Sequence, residues 1–191
     1  MKYTKLGNSD LNISRICMGC MGFGQAGNGQ HSWTVDEAQS REIIKKGLEL
    51  GVNFFDTAIA YQSGTSEQYL GRAIRDFARR NDVVIATKFL PRTNEEIEAG
   101  ITGQQHIERM LDKSLQNLGM DYVDLYIYLS YVGFMPRPFT ILWRGLITPS
   151  NRGKPDISVF PTASPISSQR RTHLLKKRDL QNLYRCRDTI T

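Results

Sequence analysis

The feature that most constrains this chain is an alternation, in residues 1–129, of short β-branched apolar runs with helices apolar along one face. The first run, Ile13-Ser14-Arg15-Ile16-Cys17-Met18-Gly19, leads through a Gly-rich loop to Thr34, which is predicted to cap a helix opened by Asp36 and Glu37. That helix is expected to reach about Leu50 and stop at Gly51, with Ala38, Ile43, Ile44, Leu48 and Leu50 on one face. Val52-Asn53-Phe54-Phe55-Asp56-Thr57-Ala58 reads as a buried strand, and a second helix opens at Ser66-Glu67-Gln68-Tyr69-Leu70. Val83-Val84-Ile85-Ala86-Thr87-Lys88 is the third strand. A third helix is expected from Gly103 to Leu118, with Ile107, Met110, Leu111, Leu115 and Leu118 as its inner stripe and Gly119 ending it. Val123-Asp124-Leu125-Tyr126-Ile127-Tyr128-Leu129 is the fourth strand.

Strands recurring at roughly 30 to 40 residues with helices between them are βαβ units, and nearly continuous apolar strands belong to a parallel sheet covered on both faces. An open doubly wound sheet and a (β/α)8 barrel both fit this α/β pattern. No G-x-G-x-x-G follows the first strand, so the dinucleotide fingerprint of the open fold is missing. Asp56 and Lys88 fall at the C-terminal ends of successive strands, with Tyr61 in the loop just after, and in a barrel those ends form the active-site face.

An aspartate and a lysine on adjacent strand ends can form an ion pair beside a tyrosine hydroxyl. An ammonium there favours phenolate and makes such a hydroxyl a better proton donor to a developing alkoxide, as in reduction of a carbonyl by a nicotinamide. An isolated Asp–Lys pair is also the form that a purely structural ion pair takes.

Over residues 1–129 the chain resembles the aldo-keto reductases. The resemblance rests on Gly51-Val52-Asn53-Phe54-Phe55-Asp56-Thr57-Ala58 with Tyr61, then Ser66-Glu67, Leu70-Gly71 and Ala73. Ala86-Thr87-Lys88 and Leu118-Gly119-Met120-Asp121-Tyr122-Val123-Asp124-Leu125 continue it in the same order. It implies an eight-stranded (β/α)8 TIM barrel, here represented by about four βα units, that reduces aldehydes or ketones with NADPH. It also implies a catalytic Tyr, Lys, Asp and His: Tyr61 as the acid, Lys88 easing its proton release, and Asp56 paired with Lys88. Gly19, Cys20 and Met21 match the loop that touches the nicotinamide, and Asp56 borders the same place. The family's histidine follows the fourth strand, where this chain has Leu129, so the set is incomplete.

Composition changes at the same point. Residues 1–129 hold 14 basic and 16 acidic side chains and residues 130–191 hold 11 and 3, so the net charge of +6 combines −2 with +8. Six of the seven prolines lie in the second part (Pro136, Pro138, Pro149, Pro155, Pro161 and Pro165), and no strand-helix alternation continues. The expected division is therefore 1–129, half of a reductase barrel, and 130–191, an irregular basic tail. A shifted reading frame accounts for the tail. From Ser150 to Ala163 the codons permit Lys-Ser-Gly-Lys-Ala-Arg-Tyr-Ile-Gly-Val-Ser-Asn-Cys, and the same frame continued to Thr191 permits Ser-Val-Gln-Gly-His-Tyr-Asn, both segments that the family carries. Across Ser130 to Arg137 the other frame permits His-Met-Trp-Asp. Half a barrel is expected to leave two open sheet edges and an uncovered inner face, with self-association and weak or no turnover as results.

The remaining features carry less. The start of the chain lacks an apolar signal-peptide core, no stretch approaches a membrane span, and three cysteines make no disulfide framework, which together point to a cytoplasmic protein without a membrane partner. Cys17 and Cys20 form a C-x-x-C read as one loop and one core cysteine, with no metal site. His31 and His106 read as a loop and a helix-surface residue. The stretch Gly22 to Trp33 fits a substrate-facing loop, with Phe23 and Trp33 as apolar contacts, and equally a plain surface loop. A tail helix from about Ser167 to Arg187 would gather Leu174, Leu175, Leu180 and Leu183 among cations as an interaction arm, but no nucleic-acid motif accompanies the charge.

Overall fold

The computed structural model describes residues 1–7, 9–29, 31–129, 139–144 and 156–161. It opens with an antiparallel hairpin, β1 (Tyr3–Lys5) on β2 (Asn12–Ser14). Four parallel strands follow in spatial order: β3 (Met18–Gly19), β4 (Phe54–Asp56), β5 (Val84–Phe89) and β6 (Leu125–Tyr128). Between them run α1 (Glu37–Glu49), α2 (Thr65–Phe77), a short α3 (Asn94–Glu98) and α4 (Gly103–Leu118). This is the βα succession of a barrel wall.

The apolar run 13–19 is two elements and not one strand. Ser14 donates from its amide to Asn53 Oδ1 (2.6 Å) and from its hydroxyl to Ile16 O (2.6 Å), turning the chain between β2 and β3. The first helix also starts later than expected. Val35 is held extended by a bridge to Phe23, so Asp36 is the N-cap, accepting from the Gln39 amide at 2.9 Å, and Thr34 is not. Its buried stripe is Ser40, Ile44 and Gly47, spaced i, i+4, i+7, which leaves Ile43 and Leu50 exposed. In α4 the expected stripe holds: Leu111 and Leu118 are buried, and Ile107, Met110 and Leu115 pack against the same core. A capping box of Thr102 and Gln105 starts α4, and left-handed Gly119 (φ 62°) ends it.

The period of two along each strand divides the core. Phe55, Ile85, Phe89 and Tyr126 face the helices and pack with Ile44, Leu70, Ile74, Leu111 and Leu118. The alternate residues Val84, Ala86 and Leu125 face the inner side, where Ile13 of β2 joins them with Leu6, Leu11, Phe54 and Ile127 at the margin. The inner face is therefore not bare, as half a barrel alone would leave it, because the N-terminal hairpin lies over one end of it. Nor does the sheet end at β6. From the tail, β7 (Phe139–Arg144) pairs antiparallel with β6, and β8 (Asp156–Pro161) pairs antiparallel with β7. The tail was expected to be irregular, but Phe139-Thr140-Ile141-Leu142-Trp143 and Ile157-Ser158-Val159-Phe160 are rich in β-branched and aromatic residues, and an unpaired β6 edge offers them a template. The tail helix expected at 167–187 lies outside the described residues.

Helices α2 and α4 meet at Gly71. A Cβ there would sit 2.6 Å from the Leu118 carbonyl carbon and 2.8 Å from its Cα, so only glycine permits this approach.

Candidate active site

Register places the three polar residues. Asp56 pairs with Ala86 across β4 and β5, and Lys88, two residues beyond Ala86, leaves the sheet on the same inner side, at the C-terminal mouth. Thr87, one residue earlier, points to the helices. Lys88 Nζ donates to Asp56 Oδ2 (2.7 Å), to the Thr57 carbonyl (2.7 Å) and to Tyr61 Oη (3.2 Å), with the ring centroid of Tyr61 at 4.8 Å. All three donor positions of the ammonium are used. Lys88 is buried, whereas the Asp56 and Tyr61 side chains keep partial access to solvent. The structure thus gathers Asp56, Tyr61 and Lys88 within one hydrogen-bonded group.

Behind them lies a second, drier network that the sequence did not single out as functional. Glu67 is fully buried on α2 and accepts from Thr87 Oγ1 (2.6 Å) and Asn117 Nδ2 (2.8 Å). Burial pushes its carboxyl above the ordinary glutamate range, against the pull of these bonds. Ser66 Oγ donates to the Cys20 carbonyl (2.7 Å) and lies 3.1 Å from Thr57 Oγ1. These contacts fix the backbone on which Asp56 and Lys88 stand.

Tyr61 sits in a 3₁₀ turn, Tyr61–Gly64, of unusual backbone. Gln62 (φ 47°) and Ser63 (φ 54°) are both left-handed, and Gly64 follows at φ 87°. A non-glycine residue held in this region costs about 1–3 kcal/mol, so two in succession must be held by their surroundings.

Of the three residues expected at a nicotinamide, Gly19 and Met21 border solvent, while Cys20 is wholly buried. The Cys20 amide donates to the Asp56 carbonyl and its own carbonyl accepts from Ser66, so it has no free group to offer. Space is open where a Cβ would project from Gly19. Crowding around the Cys17 thiol, with the Asp56 charge second, pushes it up to about 11, and burial pushes Cys20 higher still. Neither is a reactive thiolate at neutral pH, and among the described residues no cluster could hold a metal.

Two other expectations change. Phe23 is buried in the core, leaving Trp33 exposed and its ring 4.8 Å from that of His31. His106 is buried and not on the helix surface. Its Nε2 is 2.8 Å from the Leu90 carbonyl and its Nδ1 2.8 Å from Glu96 Oε2, because the segment carrying α3 folds over it.

The sequence profile of the Aldo/keto reductase family matches residues 15–131. The chain belongs to this family. Over 128 residues it is 36% identical to "Uncharacterized oxidoreductase YqkF" of Bacillus subtilis, covering 66% of this chain and 38% of that one. Over 134 residues it is 33% identical to "Aldo-keto reductase yakc [NADP(+)]" of Schizosaccharomyces pombe, covering 69% and 37%. Among solved structures, the holo form of aldo-keto reductase AKR11C1 from Bacillus halodurans superposes with a TM-score of 0.53 at 34% identity, covering 67% of this chain and 40% of that one. The chain spans well under half the length of these relatives. It is an aldo-keto reductase-like α/β protein with a partial, barrel-like parallel sheet, from a family of oxidoreductases that act on small carbonyl compounds and generally use NADP(H).

Proposed function

We propose that the chain carries the proton-donating part of an NADPH-dependent carbonyl reductase site and turns over slowly at best. The observation that carries this reading is Lys88 Nζ, within bonding distance of both Asp56 and Tyr61. NADPH, when bound, supplies the hydride to the carbonyl carbon of an aldehyde or ketone. Tyr61 Oη passes its proton to the carbonyl oxygen and is left as a phenolate, whose charge the ammonium 3.2 Å away offsets. Asp56 and the Thr57 carbonyl hold that ammonium in place. Gly19, Met21 and Asp56 would border the nicotinamide, and the open space over Gly19 suits a flat ring.

The limit on turnover comes from Leu129, which stands where the family resemblance calls for a histidine. A missing donor to a developing oxyanion costs about 10²–10³-fold in rate. The test is NADPH oxidation by the purified full chain with a simple aldehyde. A slow rate abolished by Tyr61→Phe is expected. Rapid steady turnover would overturn the limit, and a rate that survives Tyr61→Phe would overturn the assignment of Tyr61.

We read residues from about 130 onward as frame-shifted reductase sequence, on the shift in charge and proline content and on the family segments that the codons permit. The family match ending at residue 131 supports this reading. The nucleotide sequence at codons 129 to 138 tests it: stops or unrelated peptides in the alternate frames would sink it. We place the protein in the cytoplasm on its cysteine chemistry, Cys17 and Cys20 both being free. No helix among the described residues is long and apolar enough to cross a membrane.

A further inference from the structure

We propose that Gln62 is the positioning residue for Tyr61, fastening the loop between β3 and α1 to the strained turn that presents the hydroxyl. This inference rests on Tyr61 being the proton donor. Gln62 is an amide side chain, yet it is buried to 1% exposure. Its Nε2 donates to the carbonyls of Gln25 (2.9 Å) and His31 (2.8 Å) and reaches Thr34 Oγ1 at 3.3 Å, and its Oε1 accepts from the His31 amide (3.0 Å). One side chain therefore satisfies three points spread along a ten-residue loop.

The loop is shaped to receive it. A Cβ on Gly29 would lie 2.6 Å from Gln62 Cα, and one on Gly24 would lie 2.6 Å from Gln62 Cβ, so glycine stands at both crossings. The neighbours of Gln62 add parallel ties: Ser63 Oγ donates to the Asn28 carbonyl (2.6 Å), and Thr65 Oγ1 accepts from the Gln25 amide (3.0 Å) while donating to the Gln62 carbonyl (2.8 Å). The turn itself has no reason to hold Gln62 and Ser63 left-handed, because both relax at negative φ. What opposes relaxation is the set of bonds from the loop. Releasing them frees the turn one residue from Tyr61 and so frees the hydroxyl from its 3.2 Å contact with Lys88. Observed strain beside a reacting group, maintained from outside, is a positioning device.

Shape alone does not suffice, since the polarity of the amide must also be right. In Gln62→Glu a carboxylate of the same length would face the carbonyls of Gln25 and His31, converting two bonds into repulsions, so this variant should behave at least as badly as Gln62→Ala.

The experiment uses the full chain with 3-fluorotyrosine at position 61. Hydrogen exchange of the parent should show the His31 amide as protected as those of β4 and β5. The fluorine resonance of Tyr61 should be single and sharp in the parent and shifted or broadened in Gln62→Ala and Gln62→Glu. In the NADPH-linked assay kcat should fall about 10- to 100-fold in both, with KM for NADPH unchanged, as expected of a misplaced acid. An unprotected His31 amide in the parent, or a Tyr61 resonance unchanged by Gln62→Ala, overturns the proposal. If the parent shows no turnover, Tyr61 does not act as a proton donor in this chain as it stands, while exchange and fluorine spectra still decide whether Gln62 positions it.

Discussion

Two buried glycines in helices make opposed predictions. Replacing a helical glycine by alanine ordinarily stabilises a chain by about 0.8–1 kcal/mol through backbone entropy. At Gly71 in α2 the new methyl would press on the Leu118 backbone of α4, 2.6 Å from its carbonyl carbon, and backbone cannot rotate aside. The helices must then separate, loosening the packing of Leu70 and Ile74 against Leu118. Overpacking costs about 1–3 kcal/mol, and a rigid neighbour places Gly71→Ala at the upper end, so the net loss is about 2 kcal/mol. At Gly47 in α1 the methyl meets the terminal carbon of Met18, the far end of a flexible side chain, with Val52 Cβ comfortably at 3.9 Å. Met18 can swing away, so Gly47→Ala should be neutral or slightly stabilising. Thermal unfolding followed by circular dichroism reads both. Gly71→Ala should lower Tm by about 4–8 °C for a chain of this size, and Gly47→Ala should not lower it. If Gly71→Ala is as stable as the parent, or Gly47→Ala loses as much, the close-approach reasoning is wrong.

Three further changes test other parts of the structure. Lys88→Met leaves the Asp56 carboxylate without its ammonium; because Asp56 reaches solvent the cost should be about 1–2 kcal/mol by denaturant titration, with any carbonyl reduction falling about 10²–10⁴-fold. Arg80 joins the Val83 and Tyr122 carbonyls to Asp124 Oδ2 (2.7 Å) and lies 3.8 Å from the Tyr122 ring centroid, so Arg80→Ala should cost about 2 kcal/mol on the same titration, and Asp124→Asn less. Glu67 should give a pH signature of opposite sign to surface ion pairs such as Glu37 with Arg72. Burial raises its folded value, so its contribution to stability is full below about pH 4.3, the unfolded value, and is lost as pH rises through the folded one. The Arg72 hydrogen bond lowers Glu37, whose contribution is present above about pH 4.3 and is lost as pH falls through its folded value. Relative to the parent, Glu67→Gln should remove a stability loss between acid and neutral pH, and identical pH profiles for the two chains would contradict this.

How much of this was legible in the sequence follows from the range of the interactions. Asp56, Tyr61 and Lys88 could be found because strand ends and a period of two are local properties, and neighbouring parallel strands carry them to one mouth. His106 could not, since on its own helix it lies beside Ile107 and only the chain at 90–96, folding over from outside, buries it. Thr34 reads as the cap in place of Asp36 for the same reason, because the bridge from Phe23 to Val35 that holds the chain extended there comes from outside the helix. Gln62 gave no signal at all: a glutamine between a tyrosine and a serine reads as solvated loop until the stretch from Gln25 to Thr34 is seen wrapped around it. The two tail strands were missed because the proline-rich, basic composition of residues 130–191 outweighed two six-residue β-prone stretches.

The hairpin at the start of the chain has a consequence for the order of assembly. Ile13 completes a cluster whose other members, Val84, Ala86 and Leu125, are made some seventy to more than a hundred residues later. The hairpin precedes β5 and β6 in the chain, so until those strands exist its bonds, among the described residues, run only to the segment before β4, from Tyr3 to the Gly51 carbonyl and between Ser14 and Asn53. Packing Ile13 into this cluster therefore closes long stretches of chain, and contacts of such sequence separation carry a loop-closure cost that the local helices do not. The inner face at this end is thus closed by the part of the chain most remote in sequence from the strands it covers.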